Sequence, residues 1–177
     1  SIAISSFDEA MAAESDRTSR LRACLSPLKD YDSIIIDCPP TLGLLPVNAL
    51  VAADWFLVPT IPEYLSLEGL ATLMEAVDRV RAGLGECAAL LGIALTRVDK
   101  RAKSARELIE VIRGHYGEKV FRAEIPINIR LAEAPSHGLT IFGYDWAASG
   151  AQAYQELTKE VLGRMAQLVT TKQQEAP

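Results

Sequence analysis

The apolar positions change period several times along the chain, and those changes divide it into alternating helical and extended segments. Leu21, Leu25 and Leu28 fall on one helical face in a segment that Pro27 and Lys29-Asp30 bring to an end. The run Ser33-Ile34-Ile35-Ile36-Asp37 predicts a strand that is apolar on both faces and leads into Cys38-Pro39-Pro40. Residues 44–52 predict a short helix with Pro46 in its first turn, and Trp55-Phe56-Leu57-Val58 a second strand, with Pro59 and Pro62 bracketing the loop after it. Ser66 is a candidate N-cap for a helix reaching about Ala82, because Leu67, Leu70, Met74, Val77 and Val80 recur at helical intervals.

A third strand over 90–95 runs into the polar, basic loop Thr96-Arg97-Val98-Asp99-Lys100. Ser104 with Glu107 matches a capping box, and Leu108, Val111 and Ile112 would form the buried side of the helix it opens. A fourth strand is predicted over 120–125 and a short fifth at Thr140-Ile141-Phe142. Ser149 with Gln152 opens a last helix lined by Tyr154, Leu157, Val161, Met165 and Leu168, and residues 172–177 read as a flexible tail. Strands and helices alternating at these intervals predict a single α/β domain over 1–177, a parallel sheet with helices on both faces. Right-handed crossovers would gather Asp37, Pro59, Thr96 and Pro126 on one carboxyl edge, the place for a ligand.

With 177 residues, 49% of them apolar, the chain can bury one sizeable core. Its apolar windows are too short to cross a bilayer and no signal-peptide pattern opens it, so a cytoplasmic protein without a membrane partner is expected. Cys24, Cys38 and Cys87 lack metal-ligand spacing and read as buried structural thiols. The net charge of −5 argues against coating nucleic acid with the whole surface. Nine of the 18 Lys and Arg nevertheless lie between Arg97 and Arg130 against five Asp and Glu, a local excess of +4. Arg97, Lys100, Arg101, Lys103 and Arg106 are its densest part, which suits either nonspecific phosphate contact or an ordinary solvated face.

A carboxylate fixed at a strand end can hold the water shell of Mg²⁺, and Asp37 suits that role, although strand-end aspartates also cap helices. Pro39 and Pro40 would stiffen the exit from the sheet, and Gly43 restores freedom beyond them.

The stretch Tyr31-Asp32-Ser33-Ile34-Ile35-Ile36-Asp37-Cys38-Pro39-Pro40-Thr41-Leu42-Gly43 resembles the Walker B and switch II region of ParA/Soj-type partition ATPases, of the deviant Walker A P-loop class in the MinD/ParA superfamily. Asn48 to Asp54, Glu63-Tyr64, Leu67 to Leu70, Ile125-Pro126 with Asn128, Arg130 to Ser136 and Gly150 to Tyr154 agree in order and spacing. The resemblance implies a P-loop NTPase fold. It makes Asp37 the Walker B residue acting on Mg through water, with Pro39, Pro40 and Gly43 in switch II. Thr96, Asp99, Pro126 and Asn128 would lie near the adenine and ribose. Arg130 matches a family position associated with nonspecific DNA contact, and Lys100, Arg101 and Lys103 would extend that surface; a salt bridge from Arg130 to Glu133 or a nearby carboxylate is the competing reading. ATP and Mg, a homodimer, DNA, a ParB/Spo0J-like partner and a nucleoid location are implied for an intact member.

No Gly-x-x-x-x-Gly-Lys occurs in the sequence, and the switch I strand of the family is also missing. Backbone N–H groups plus lysine hold a triphosphate, so this chain alone is expected neither to hydrolyse ATP nor to bind it appreciably. The expectation is the C-terminal part of a longer family member, its isoleucine strand left with an open edge. The alternatives are a nucleotide-free DNA- or partner-binding fragment or paralogue, and a MinD-like positioning ATPase.

Overall fold

The computed structural model describes residues 14, 16–39, 43–85 and 87–175. In chain order the elements are α1 (Arg20–Leu25), α2 (Leu44–Ala52), β1 (Trp55–Thr60), α3 (Tyr64–Leu84), β2 (Ala89–Val98), α4 (Lys103–Tyr116), β3 (Val120–Pro126), α5 (Ile129–Glu133), α6 (Ile141–Tyr144) and α7 (Ser149–Glu175), with 3₁₀ turns at Gly117–Lys119 and Ala134–His137. The strands form a parallel three-stranded sheet in the order β1-β2-β3. By Cα proximity the chain divides into two compact units, one of Ser1–Phe56 with Ala71–Ala89 and the other of Leu57–Leu70 with Leu90–Pro177. Helix α7 runs through Glu175, past residue 172 where the sequence suggests a tail.

In the first unit α1 is held to α2 by one buried side chain. Asn48, 4% exposed, accepts from the Leu21 N–H at 3.2 Å and donates to the carbonyls of Arg17 at 2.7 Å and Leu44 at 3.0 Å. Arg22 Nε adds a bond to the Val51 carbonyl at 2.7 Å. A buried amide with its partners made stabilises modestly, whereas its removal would leave three backbone groups to find others.

The isoleucine run departs from the expected strand. Residues 33–39 are neither helix nor strand, and Ile35 is 94% exposed. β-branched residues favour strands because they fit a pleated, half-buried surface beside a neighbour. Among the described residues no ladder forms along 33–37, so the preference goes unused. Cys24 and Cys38 are likewise exposed rather than buried, the first on the outer side of α1 and the second on the unpaired segment. Partial desolvation, and then the Asp37 carboxylate, push the Cys38 thiol up, which disfavours the thiolate.

The second unit carries the deepest core. Ile93 and Leu95 of β2, with Phe121 and Ile125 of β3, are at most 2% exposed. Helix α7 packs on β3 and brings Arg164 across the sheet: its guanidinium lies 4.0 Å from the Phe121 ring centre. The same group donates to the carbonyls of Leu91 and Lys119, both at 3.0 Å, and of Val120 at 3.2 Å. Gly92 makes room for this, since a Cβ there would stand 2.5 Å from Phe121 Cε2 and 2.6 Å from Arg164 Nη1. Glu160, one turn earlier on α7, accepts from the N–H groups of Arg122 at 2.8 Å and Ala123 at 2.7 Å. Those bonds occupy donors along an edge strand that would otherwise invite pairing.

Several local expectations shift. Helix α4 starts after Ala102 without a side-chain cap, so Ser104 lies inside the helix and forms no capping box; its buried residues are Ala105, Ile109 and Ile112, while Val111 is 53% exposed. Helix α3 begins at Tyr64, two residues before the expected cap at Ser66. Residues 140–142 are not a strand: the Thr140 side chain accepts from the Gly143 N–H at 3.3 Å and caps α6. A threonine hydroxyl that satisfies a first-turn donor outweighs the extended preference of three residues with no neighbouring strand. On α7, Ala151 and Leu157 are buried, whereas Tyr154 and Leu168 are 37% and 38% exposed.

Candidate functional site

Strands β2 and β3 run parallel with Val98 opposite Pro126, and the Ile127 N–H donates to the Val98 carbonyl at 3.3 Å. That register makes both strands end together, so Asp99 and Asn128 leave the sheet from neighbouring positions. Thr96 Oγ1 reaches the Thr60 carbonyl at 3.5 Å, tying the end of β1 to the same edge. Thr96, Asp99, Pro126 and Asn128, which the family resemblance implies to be nucleotide-side residues, are thus brought to one edge.

The backbone is unusual at Arg97, with φ of +52°, the one non-glycine residue with positive φ among the described residues. A left-handed residue with a side chain costs about 1–2 kcal/mol, and such strain concentrates where a chain must turn for function. The turn is then fixed twice. Asp99 Oδ1 accepts from the Arg101 N–H at 3.0 Å, and Arg106 Nη1, reaching back from α4, bonds the carbonyls of Lys100 at 2.7 Å and Arg101 at 3.3 Å.

These contacts separate engaged charges from available ones. Lys100 Nζ lies 2.9 Å from Glu124 Oε2, while Arg113 Nη2 takes Oε1 of the same carboxylate at 2.9 Å. Lys103 has a loose partner in Glu107 at 3.4 Å and keeps 82% of its side chain exposed. Arg101 makes no ion pair among the described residues. Asn128 caps α5, accepting from the N–H groups of Arg130 at 2.8 Å and Leu131 at 3.4 Å, and it donates to Ser149 Oγ at 2.8 Å. Ser149 therefore opens α7 with its hydroxyl engaged by Asn128. Arg130 Nη1 is 2.9 Å from Glu133 Oε2 and its Nε 3.6 Å from Asp145 Oδ2.

Glu124 sets a pH dependence. Burial pushes its carboxyl up, but hydrogen bonds from Arg113 and Lys100 and their charges outweigh this and hold it below the ordinary value. A lowered folded-state value contributes stability above the unfolded value of about 4.3, and that contribution is lost as pH falls through the folded value. Glu124→Gln is therefore expected to be less stable than the parent at neutral pH, the two converging below about pH 4. Urea titrations at a series of pH values measure this; a constant difference down to the acid limit would contradict it.

Asp37 and Pro39 lie on the unpaired 33–39 segment, Gly43 is the extended residue before α2, and Pro40 lies outside the described residues. Asp37 is exposed, and the described residues hold no group of three His, Cys, Asp or Glu able to bind a metal. One exposed carboxylate without a phosphate cradle does not by itself make a magnesium-nucleotide site. Sequence reading missed Glu124, Arg113, Asp145, Glu160 and Arg164, whose partners lie far off in sequence and leave no local signal.

Residues 1–87 match a family model described as an AAA domain. The chain is 42% identical over 165 residues to the chromosome-partitioning ATPase Soj of Treponema pallidum, covering 93% of this chain and 65% of that protein. It is 45% identical over 152 residues to the chromosome partitioning protein ParA of Myxococcus xanthus, covering 85% of this chain and 54% of that one. Among solved structures, cobyrinic acid a,c-diamide synthase of Mycobacterium smegmatis with bound ADP and magnesium superposes with a TM-score of 0.68 at 27% identity, covering 88% of this chain and 56% of that one. The chain thus spans between about half and two thirds of the length of these relatives. Its sheet and helices are of the P-loop NTPase type. The agreement along nearly the whole chain with Soj and ParA decides among such proteins: the chain belongs to the ParA/Soj-type partition ATPases of the MinD/ParA superfamily.

Proposed function

We propose that this chain forms the DNA-contacting part of a ParA/Soj-like partition ATPase and binds duplex DNA without regard to sequence. One observation carries the reading: the common ending of β2 and β3 places the Lys100–Lys103 turn and the start of α5 side by side on one edge. Exposed cations on rigid turns meet phosphates wherever they fall along a duplex. In the intact protein, ATP and Mg would join at Asp37, a homodimer would form, and a ParB/Spo0J-like protein would act on it at the nucleoid in the cytoplasm. Thr96, Asp99 and Pro126 would border the nucleotide, with Asn128 shaping the edge as a cap rather than offering a free amide. Switch II would comprise Pro39, Pro40 and Gly43.

Fluorescence anisotropy of a random-sequence duplex, titrated with the pure chain and no nucleotide, tests this. The logarithm of the binding constant should fall linearly with the logarithm of salt, with a slope of about −3, roughly 0.9 for each of three or four phosphate contacts. Unrelated duplexes should bind alike. Binding indifferent to salt, or none at low salt, contradicts the proposal.

A further inference from the structure

The family position at Arg130 is a cation, but in this chain the cation is already engaged. Glu133 Oε2 lies 2.9 Å from Arg130 Nη1, and Asp145 Oδ2 lies 3.6 Å from Nε. Tyr144 donates its hydroxyl to the same Glu133 oxygen at 3.1 Å, and the His137 ring stacks on Tyr144 with centres 5.0 Å apart. The hydrogen bond and charge of Glu133 raise Arg130 above its ordinary value, and Arg130, then Tyr144, hold Glu133 below its own. One guanidinium faces two carboxylates, so these three groups present a net charge of −1 where a phosphate would approach. We propose that Glu133, seconded by Asp145, is an internal competitor for the phosphate at Arg130, a latch that keeps this part of the edge weakly attractive to DNA until the arginine swings free.

Two features make the exchange inexpensive. Arg130 is half exposed and its partners stand within a helical turn or one loop, so the guanidinium can turn outward without disturbing the core. Glu133 Oε2 keeps the Tyr144 hydroxyl when the arginine leaves, and Asp145, about one-third exposed, can turn to water. An exposed ion pair of this kind is weak, which suits a contact that must be exchanged.

The proposal rests on the DNA-binding reading above, and a double-mutant cycle separates the two. Anisotropy with the same random-sequence duplex would compare the parent, Glu133→Gln, Arg130→Ala and the double variant at one salt concentration, folding being checked by circular dichroism. Glu133→Gln should tighten binding about two- to five-fold, the range open to an exposed ion pair. The same substitution should have no effect in the Arg130→Ala background. Equal tightening in both backgrounds would mean a general field effect and overturn the latch. An unchanged affinity in Glu133→Gln, with the parent still binding, would overturn the latch and leave the DNA reading intact. Absence of binding by every variant would overturn both. Should Glu133→Gln unfold α5 through the lost Tyr144 contact, Asp145→Asn carries the same expectation at the smaller end of the range.

Discussion

Phe121→Ala is expected to destabilise the chain by about 3–5 kcal/mol, the cost of emptying a fully buried aromatic site. The ring is 0% exposed on β3 and is covered by Arg164 on one face, with the Gly92 backbone close by. Removing it deletes the apolar burial and the cation–π contact together, and leaves Arg164 over a cavity while still tied to the carbonyls of Leu91, Lys119 and Val120. Burial already pushes the Arg164 guanidinium down, with Glu160 and Glu118 opposing that effect. Urea unfolding followed by circular dichroism measures the loss. A value within about 0.5 kcal/mol of the parent, typical of a surface substitution, would show that Phe121 does not anchor the sheet.

The sheet was legible because its strands are short apolar runs bounded by proline or polar turns. Residues 55–58, 90–95 and 120–125 all fall within β1, β2 and β3. The helices between them were legible from their spacing, although the side facing inward was not always the expected one, as Val111 shows. The run 33–37 illustrates the limit of that method. Local preference can say that Ile34 to Ile36 would make a good strand, but a strand exists only beside another, and nothing in a stretch of five residues reports on that neighbour. Thr140 shows the converse, where one side-chain hydrogen bond turned an extended preference into a helical turn.

The edge itself was foreseen in outline. Topology predicts Thr96 and Pro126 on one edge with Asp37 and Pro59, the family resemblance adds Asp99 and Asn128, and register brings Thr96, Asp99, Pro126 and Asn128 together. Sequence offers the Arg130–Glu133 ion pair as one of two readings, and gives no sign of the Lys100–Glu124 pair. Lys100 and Arg130 look equivalent to Arg101 in a count of basic residues, yet Lys100 is drawn to Glu124 and Arg130 to Glu133. Those partners come from β3 in the first case and from the next turn of α5 in the second. Only the folded chain distinguishes a spent cation from an available one.

That distinction selects the second large effect, reversal of the two least engaged cations in Arg101→Glu with Lys103→Glu. Neither residue holds the core, so circular dichroism and urea stability should stay close to those of the parent. Each reversed cation removes one phosphate contact and adds repulsion, so duplex affinity at low salt should fall about ten-fold or more, and the salt slope should flatten by about 2. The salt-dependent anisotropy of this double variant beside the parent is the decisive comparison. A weaker, flatter binding curve on an intact fold locates DNA recognition at the carboxyl edge of the sheet; identical affinity and slope would place it elsewhere or nowhere on this chain.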